Sequence, residues 1–270
     1  MNITLLLIPL VFLCAGMAGA WALQRRTGNS GWIDTAWSAL SGLAALIAVG
    51  LAGGFSTARG ILAGALVLVW ALRLAAHIGM RSHGAQEDPR YAELMTEWGA
   101  EASSRLFWFL QIQALAAFVL AVSVWSAATS GPLGLTSLDL VAVVIAVIAI
   151  VGEAIADRQL VSFKSRNKTR GEICEAGLWS WSRHPNYFFE WLYWCAWPVM
   201  AFGSGQIVTF VVASLAAVMM YWLLVHVSGI PPLEKHMLAS RGERFRDYQR
   251  RVSAFFPLPP RQIRSQESVQ

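Results

Sequence analysis

Residues 183–190 read Arg183-His184-Pro185-Asn186-Tyr187-Phe188-Phe189-Glu190, which sets a guanidinium, an imidazole, an amide, a phenol and a carboxylate within about two turns of helix. An arginine fork matches phosphate or carboxylate, while Asn186 and Glu190 can read amide or ribose hydroxyl groups. The block predicts a binding site for a polar, anionic cofactor. The C-terminal region supplies a second set of such groups: Glu234, His236, Arg241 and Tyr248. Asp34, Arg73, His77, Glu153, Asp157 and His226 interrupt apolar runs, as Glu190 does. An ionisable group in lipid costs at least a few kcal/mol, so each is a candidate for function. Arg73 with His77, and Glu153 with Asp157, have i,i+4 spacing and share a helix face. Two neighbouring carboxylates repel unless a cation or a hydrogen-bonding ligand comes between them. Plainer readings compete. Arg73 and His226 can snorkel to the surface, Asp34 can cap the run it opens, and Trp191, Trp194 and Trp197 suit packing and interfacial anchoring. The stretch from Lys164 to Arg170 suits attraction to anionic lipid. Rossmann, P-loop and HExxH motifs are absent from the sequence, as is a Gly-x-Ser-x-Gly elbow. Cys14, Cys174 and Cys195 lack metal spacing and read as free thiols, so no metal site is expected.

These groups belong to a chain of 270 residues that is 56% hydrophobic and 14% charged, against roughly 25% charged in a soluble domain. Too few polar side chains exist to cover a water-facing surface, which excludes a soluble enzyme and a disordered chain. Apolar runs at about 3–23, 33–54, 60–80, 107–128, 138–157, 187–203 and 206–228 are long enough for transmembrane helices. The expected fold is all-α: one polytopic domain over 1–257 with seven spans, then a frayed tail at 258–270. In the first run Arg25 and Arg26 follow the apolar core and no basic residue precedes it, the reverse of a signal peptide. Seven spans partition the basic residues. Arg25, Arg26, Arg81, Arg90, Arg105, the 158–183 group and the C-terminal cluster out to Arg264 fall on one side, and Arg59 on the other. By the positive-inside rule the N-terminus is outside and the C-terminus cytoplasmic. The net charge of +5 therefore marks topology and not nucleic-acid binding. The buried ionisable groups all fall in the inner half of the bilayer, which predicts a polar cavity open to the cytoplasm. Among the inner connections, Asp88 and Pro89 predict the cap and first turn of a surface helix. Pro231-Pro232 is expected to break the last span, and 233–252 to form one or two amphipathic helices interrupted near Gly242.

The order of motifs is specific. Asp34-x-x-Trp37 opens the second run, Glu87-Asp88-Pro89-Arg90-Tyr91 follows the third, and Asp157 closes the fifth. Gly177-Leu178-Trp179 precedes the Arg183–Glu190 block, and Phe245-Arg246-Asp247-Tyr248 precedes Phe256-Pro257. Over about 30–257 this resembles the steroid 5α-reductase-like membrane proteins, most nearly the bacterial DUF1295 branch. The resemblance implies a bacterial inner-membrane reductase with its active site on the cytoplasmic side. It would pass hydride from NADPH to an activated C=C bond of a lipid-soluble substrate entering from the bilayer, such as a Δ4-3-ketosteroid, in lipid metabolism. It implies cofactor contacts at Asp157, Asn186, Glu190, His236 and Tyr248. With the residue-level reading, the expected cofactor set adds Glu153, Lys164, Arg170, Arg183, His184, Tyr187 and Arg241, and Trp37 is expected at the substrate. Glu153 stands where the family has Asn, and Asp34 where it has Glu. The family's tyrosine in the third span has no counterpart, and Arg73 and His77 occupy that neighbourhood.

Hydride addition to an enone builds negative charge on the carbonyl oxygen, which a preorganised donor in a dry site stabilises. The expected catalytic groups are Asp34, protonated through burial, or Arg73 or His77 if Asp34 stays ionised and orients them. Arg-His-Pro also occurs in related membrane methyltransferases of the isoprenylcysteine type, so S-adenosylmethionine-dependent methyl transfer is the alternative. A proton- or cation-relaying transporter is a third reading, although such proteins commonly carry internal repeats and this sequence has none. Membrane lipids are the expected surroundings, with a monomer and no nucleic-acid partner.

Overall fold

The computed structural model describes residues 3–83, 88–132, 134–167 and 171–261. Glu87, Lys168, Arg170 and Arg264 lie outside the described residues. Apolar sequence in lipid satisfies its backbone internally only as helix or closed barrel, and this chain takes the helical solution. The helices are α1 (Leu7–Thr27), α2 (Gly31–Leu51), α3 (Ala58–Ser82), α4 (Pro89–Trp98), α5 (Ala102–Ala128) and α6 (Ser137–Arg166), then α7 (Pro185–Phe202), α8 (Ile207–Trp222), α9 (Ile230–Arg241) and α10 (Glu243–Arg251). Among the described residues the only β pairing is an isolated parallel bridge between Ser182 and Ser253.

Local chemistry sets several boundaries. Gly28 ends α1 in the left-handed conformation (φ 68°), returning its N–H to the Gln24 carbonyl. Thr57 caps α3 by accepting from the Gly60 N–H, and Asp88 caps α4 by accepting from the Arg90 N–H, with Pro89 in the first turn. Pro231-Pro232 acts differently from expectation. The last apolar helix widens into a π turn at Leu223–Val227 and stops, and the proline pair lies in the first turn of α9. The first-turn amides lack intrahelical acceptors in any case, so proline starts a helix there without loss.

Among the described residues, six helical stretches are long and apolar enough to cross a membrane. They contain α1, α2, α3, α5, α6 and α8; α7 is not among them, because Asn186, Glu190, two prolines and its Trp and Tyr residues dilute its 18 residues.

The chain divides into two compact units, one of Met1–Val143 with Cys195–Ala217 and one of Val144–Trp194 with Val218–Gln270. In the first, α2 and α3 pack antiparallel. The Ser82 hydroxyl donates to the Gly31 carbonyl (2.8 Å). A Cβ on Gly79 would touch Thr35, and one on Gly42 would fall 2.3 Å from the Ala71 Cβ. Such close backbone approach is how helices gain packing energy in lipid, where apolar burial gives none. Indole donors tie in α5, from Trp21 to the Ser103 carbonyl (2.9 Å) and from Trp37 to the Gln113 carbonyl (3.0 Å). On α5 the buried Ser123 hydroxyl donates to the Val212 carbonyl and accepts from the Ala216 N–H of α8.

In the second unit, the loop before α7 pairs with the segment after α10. Arg183 N–H donates to the Ser253 carbonyl (2.8 Å) and Leu258 N–H to the Trp181 carbonyl (3.0 Å). Beneath this pairing Phe188, Trp191, Tyr221, Phe255 and Phe256 form an aromatic cluster of edge-on contacts. The lower part of α6 approaches α7 at Gly152, where a Cβ would lie 2.4 Å from the Phe189 ring.

Candidate functional site

The expected residues sort by unit. Asp34, Trp37, Arg73 and His77 belong to the first, and the described cofactor set from Glu153 to Tyr248 belongs to the second.

In the first unit Asp34 lies in the first turn of α2, half-buried, and its two oxygens have separate partners. Oδ1 accepts the Tyr91 hydroxyl (2.9 Å), and Oδ2 accepts the Arg90 guanidinium. Arg90 also donates to Asp88, through Nε to Oδ1 (3.1 Å) and Nη2 to Oδ2 (2.9 Å). Burial alone would raise the Asp88 carboxyl, but the hydrogen bonds and charge of Arg90, with Arg81 beyond, bring it below its usual value. The chain continues on α5, where the Gln113 amide donates through Nε2 to Tyr91 Oη (3.2 Å). Phe109, one turn earlier on the same face, meets the Tyr91 ring edge-on with centroids 6.4 Å apart. So the tyrosine that partners the acid comes from the short helix α4 and not from the third span. The signal was present in the sequence, since Tyr91 ends the Glu87–Tyr91 motif.

Arg73 and His77 are half-buried on one face of α3. The α2–α3 register, with Gly31 beside Ser82, Thr35 beside Gly79 and Gly42 beside Ala71, sets His77 level with Ala36–Trp37 and Arg73 level with Leu40. His77 is thus the closer of the two to the depth of Asp34.

In the second unit the Arg183 fork is already filled. Its Nε and Nη2 donate to the two Glu234 oxygens (2.7 and 3.1 Å), and Nη1 donates to the Gln249 carbonyl (3.2 Å) and the Val252 carbonyl. His184 Nε2 meets Glu234 Oε1 at 2.9 Å, and the Gln249 amide donates to Oε2 at 2.7 Å. Burial would raise the Glu234 carboxyl, yet the hydrogen bonds from His184, Arg183 and Gln249 with the Arg183 charge hold it at about 2. Burial lowers the His184 imidazole despite the Glu234 hydrogen bond, so it is neutral at pH 7 and donates to the carboxylate. This constellation clasps the tail onto the entry of α7. Tyr248 is buried, its hydroxyl donating to the Trp179 carbonyl, and Tyr187 stacks on His184 with planes 12° apart.

The other expected cofactor residues differ in exposure. Glu153, Asp157 and Glu190 are each 5–6% exposed, and Glu190 accepts the Trp194 indole (2.9 Å). Asn186 is half-buried in the first turn of α7, whereas Lys164 and His236 are exposed. Arg241 Nε donates to the Glu172 carbonyl (3.2 Å), and Arg170 lies outside the described residues.

Two ionisable residues beyond the expected set are fully buried in the first unit. Arg59, at the start of α3, pairs with Asp139, at the start of α6, at 2.9 Å with side chains 1% and 0% exposed. The Ser130 carbonyl accepts from Arg59, and the Thr136 backbone N–H and hydroxyl both donate to Asp139. This pair joins helix ends and reads as structural.

A family model for proteins of unknown function, DUF1295, matches residues 20–252. No curated protein and no solved structure matches the chain.

Proposed function

We propose that this chain, which belongs to the DUF1295 family, is an NADPH-dependent membrane reductase acting on an activated C=C bond of a lipid-like substrate, of the steroid 5α-reductase type. The reading takes α7 as a seventh span, rich in Trp and Tyr, and sets the N-terminus outside. Its support is the partition of basic residues, which gathers nearly every Lys and Arg on the side of the Arg183 block. The observation that carries the reading is the polar network Asp34–Tyr91–Arg90 with His77 at the same depth, in a predominantly apolar helical unit.

The donor set of the second unit fits a reduced nicotinamide dinucleotide in two parts. The carboxylates of Asp157, Glu190 and Glu153 with the Asn186 amide suit ribose hydroxyls and a carboxamide, all of which offer donors. Lys164, Arg170 and Arg241 suit the phosphates, while Arg183 and His184 serve by anchoring the tail that carries Arg241, His236 and Tyr248. When bound, the cofactor supplies the hydride. The chain's own work is then electrostatic. Both Asp34 oxygens are already engaged as acceptors, by Tyr91 and by Arg90, so Asp34 orients its partners and does not act as the acid. The donor to the carbonyl oxygen on which charge develops falls to His77, with Arg73 behind it. Trp37, whose indole is fixed on the Gln113 carbonyl, presents an apolar wall to the substrate.

One observation favours a second reading. Three buried carboxylates in a unit whose Arg183 is already paired with Glu234 also suit a cationic cofactor, as S-adenosylmethionine-dependent methyl transfer would require. Titration of the detergent-solubilised protein decides between them. Saturable energy transfer from tryptophan to NADPH, weaker with NADH, followed by enone-dependent NADPH oxidation lost in His77→Ala, is the expected result. Thermal stabilisation by S-adenosylmethionine alone would move the assignment to methyl transfer, and absence of both responses refutes both enzymes.

A further inference from the structure

The polarity of the network in the first unit is fixed at every link. Asp34, facing Arg90, only accepts hydrogen bonds. Tyr91 has one proton, and the 2.9 Å contact to Asp34 Oδ1 takes it. Tyr91 Oη must therefore accept at its other contact, so the group of Gln113 facing it at 3.2 Å is the NH2 and not the carbonyl oxygen. The two ends of an amide are otherwise hard to tell apart, but here the chain of donors decides. Gln113 itself is held in place, since its backbone carbonyl accepts the Trp37 indole.

This orientation has a chemical remainder. Gln113 Oε1 is buried, and no donor among the described residues reaches it. A buried amide oxygen without a partner costs about 1–3 kcal/mol, so the site is built to receive a donor. We propose that Gln113 Oε1 is the recognition group for an O–H or N–H carried by the polar end of the lipid that this unit binds. The inference deepens the reductase reading by narrowing its substrate class. A plain ketone has only acceptors at its polar end and leaves Gln113 unanswered. A substrate with a hydroxyl or amide N–H close to its carbonyl satisfies both His77 and Gln113, which lie at the level of Trp37 on neighbouring helices. A site shaped around a hydrogen-bonding group rejects the analogue lacking it far more strongly than an apolar pocket rejects an added methyl.

The test uses the full-length protein in detergent, without cofactor, and two probes: a long-chain enone with a hydroxyl on the carbon beside the carbonyl, and the same molecule with that hydroxyl methylated. Binding is read by tryptophan quenching. The hydroxylated probe is expected to bind at least about tenfold more tightly to the wild type. In Gln113→Met that advantage should fall to within about twofold. Equal affinity of the two probes for the wild type, or no binding of either, means that water serves Gln113 and overturns the proposal. So does an advantage that survives in Gln113→Met. Because the preference is measured without NADPH, failure of the reductase reading in the titration above would not be mistaken for failure here.

Discussion

Removing the Glu234 carboxylate should release the tail from the entry of α7 without unfolding the membrane helices. The carboxylate receives Arg183 through two nitrogens, His184 at 2.9 Å and Gln249 at 2.7 Å. Glu234→Ala leaves the Arg183 guanidinium, only 10% exposed in its side chain, without a counter-charge. Breaking a buried pair in this way costs roughly 3–5 kcal/mol. The Gln249 and Val252 carbonyls still accept from Arg183, which puts the expected loss at the lower end, about 3 kcal/mol. At 1.4 kcal/mol per factor of ten, the open population of α9–α10 rises about 100-fold. Limited trypsin digestion reads this directly, since Arg241, Arg244, Arg246 and Arg250 lie on these two helices. When opening and closing are fast relative to cleavage, the rate follows the open population. Cleavage at these sites should accelerate about 100-fold in Glu234→Ala, and by less in Glu234→Gln, which keeps one acceptor oxygen. A rate within about threefold of wild type in Glu234→Ala would show that the aromatic cluster around Phe255 holds the tail and that the ion pair does not.

The same clasp should weaken in acid. Glu234, held at about 2, contributes fully above about pH 4.5 and loses its contribution as pH falls from there toward 2. The lowered His184 adds an earlier decline: below about pH 6.5 the released imidazole binds a proton that the folded one resists. Hydrogen-exchange protection of α9–α10, corrected for intrinsic rates, is therefore expected to fall from pH 7 downward, with His184→Gln removing the upper part of the decline; protection flat from pH 8 to pH 4 contradicts it. At the other pair, Asp139→Asn strands the buried Arg59 charge and should cost about 3–5 kcal/mol in thermal stability, whereas Arg59→Met with Asp139→Leu should recover most of it; a double variant no better than Asp139→Asn overturns that account.

Much of the helical layout could be read from composition, because a run of apolar residues in lipid has few alternatives to helix. The Asp88-Pro89 start of α4 was equally legible, since a cap and its amide lie two residues apart. Pairings across long separations were not. Arg183 and Glu234 both stand out in the sequence as binding groups, but 51 residues separate them, and only the folded tail shows that each satisfies the other. Arg59 and Asp139, 80 residues apart, sit in the opening turns of their helices, where charge looks interfacial. Tyr91 was visible as a motif residue, yet its role depended on how α4 folds back along α5. Whether the Pro231-Pro232 pair ends one helix or opens the next depends on where the preceding π turn stops.

The Arg183–Glu234 clasp also dates itself. Arg183 leaves the ribosome 51 residues before its carboxylate partner, and at roughly 5–20 residues per second that is about 3–10 s of synthesis. During this interval α7 and α8 are synthesised while the Arg183 guanidinium has no counter-charge and the 181–184 segment has no partner. Closure of the tail is thus among the last events of biogenesis, and a chain that stalls before Val252 presents an open, basic entry to α7 that a quality-control protease could recognise.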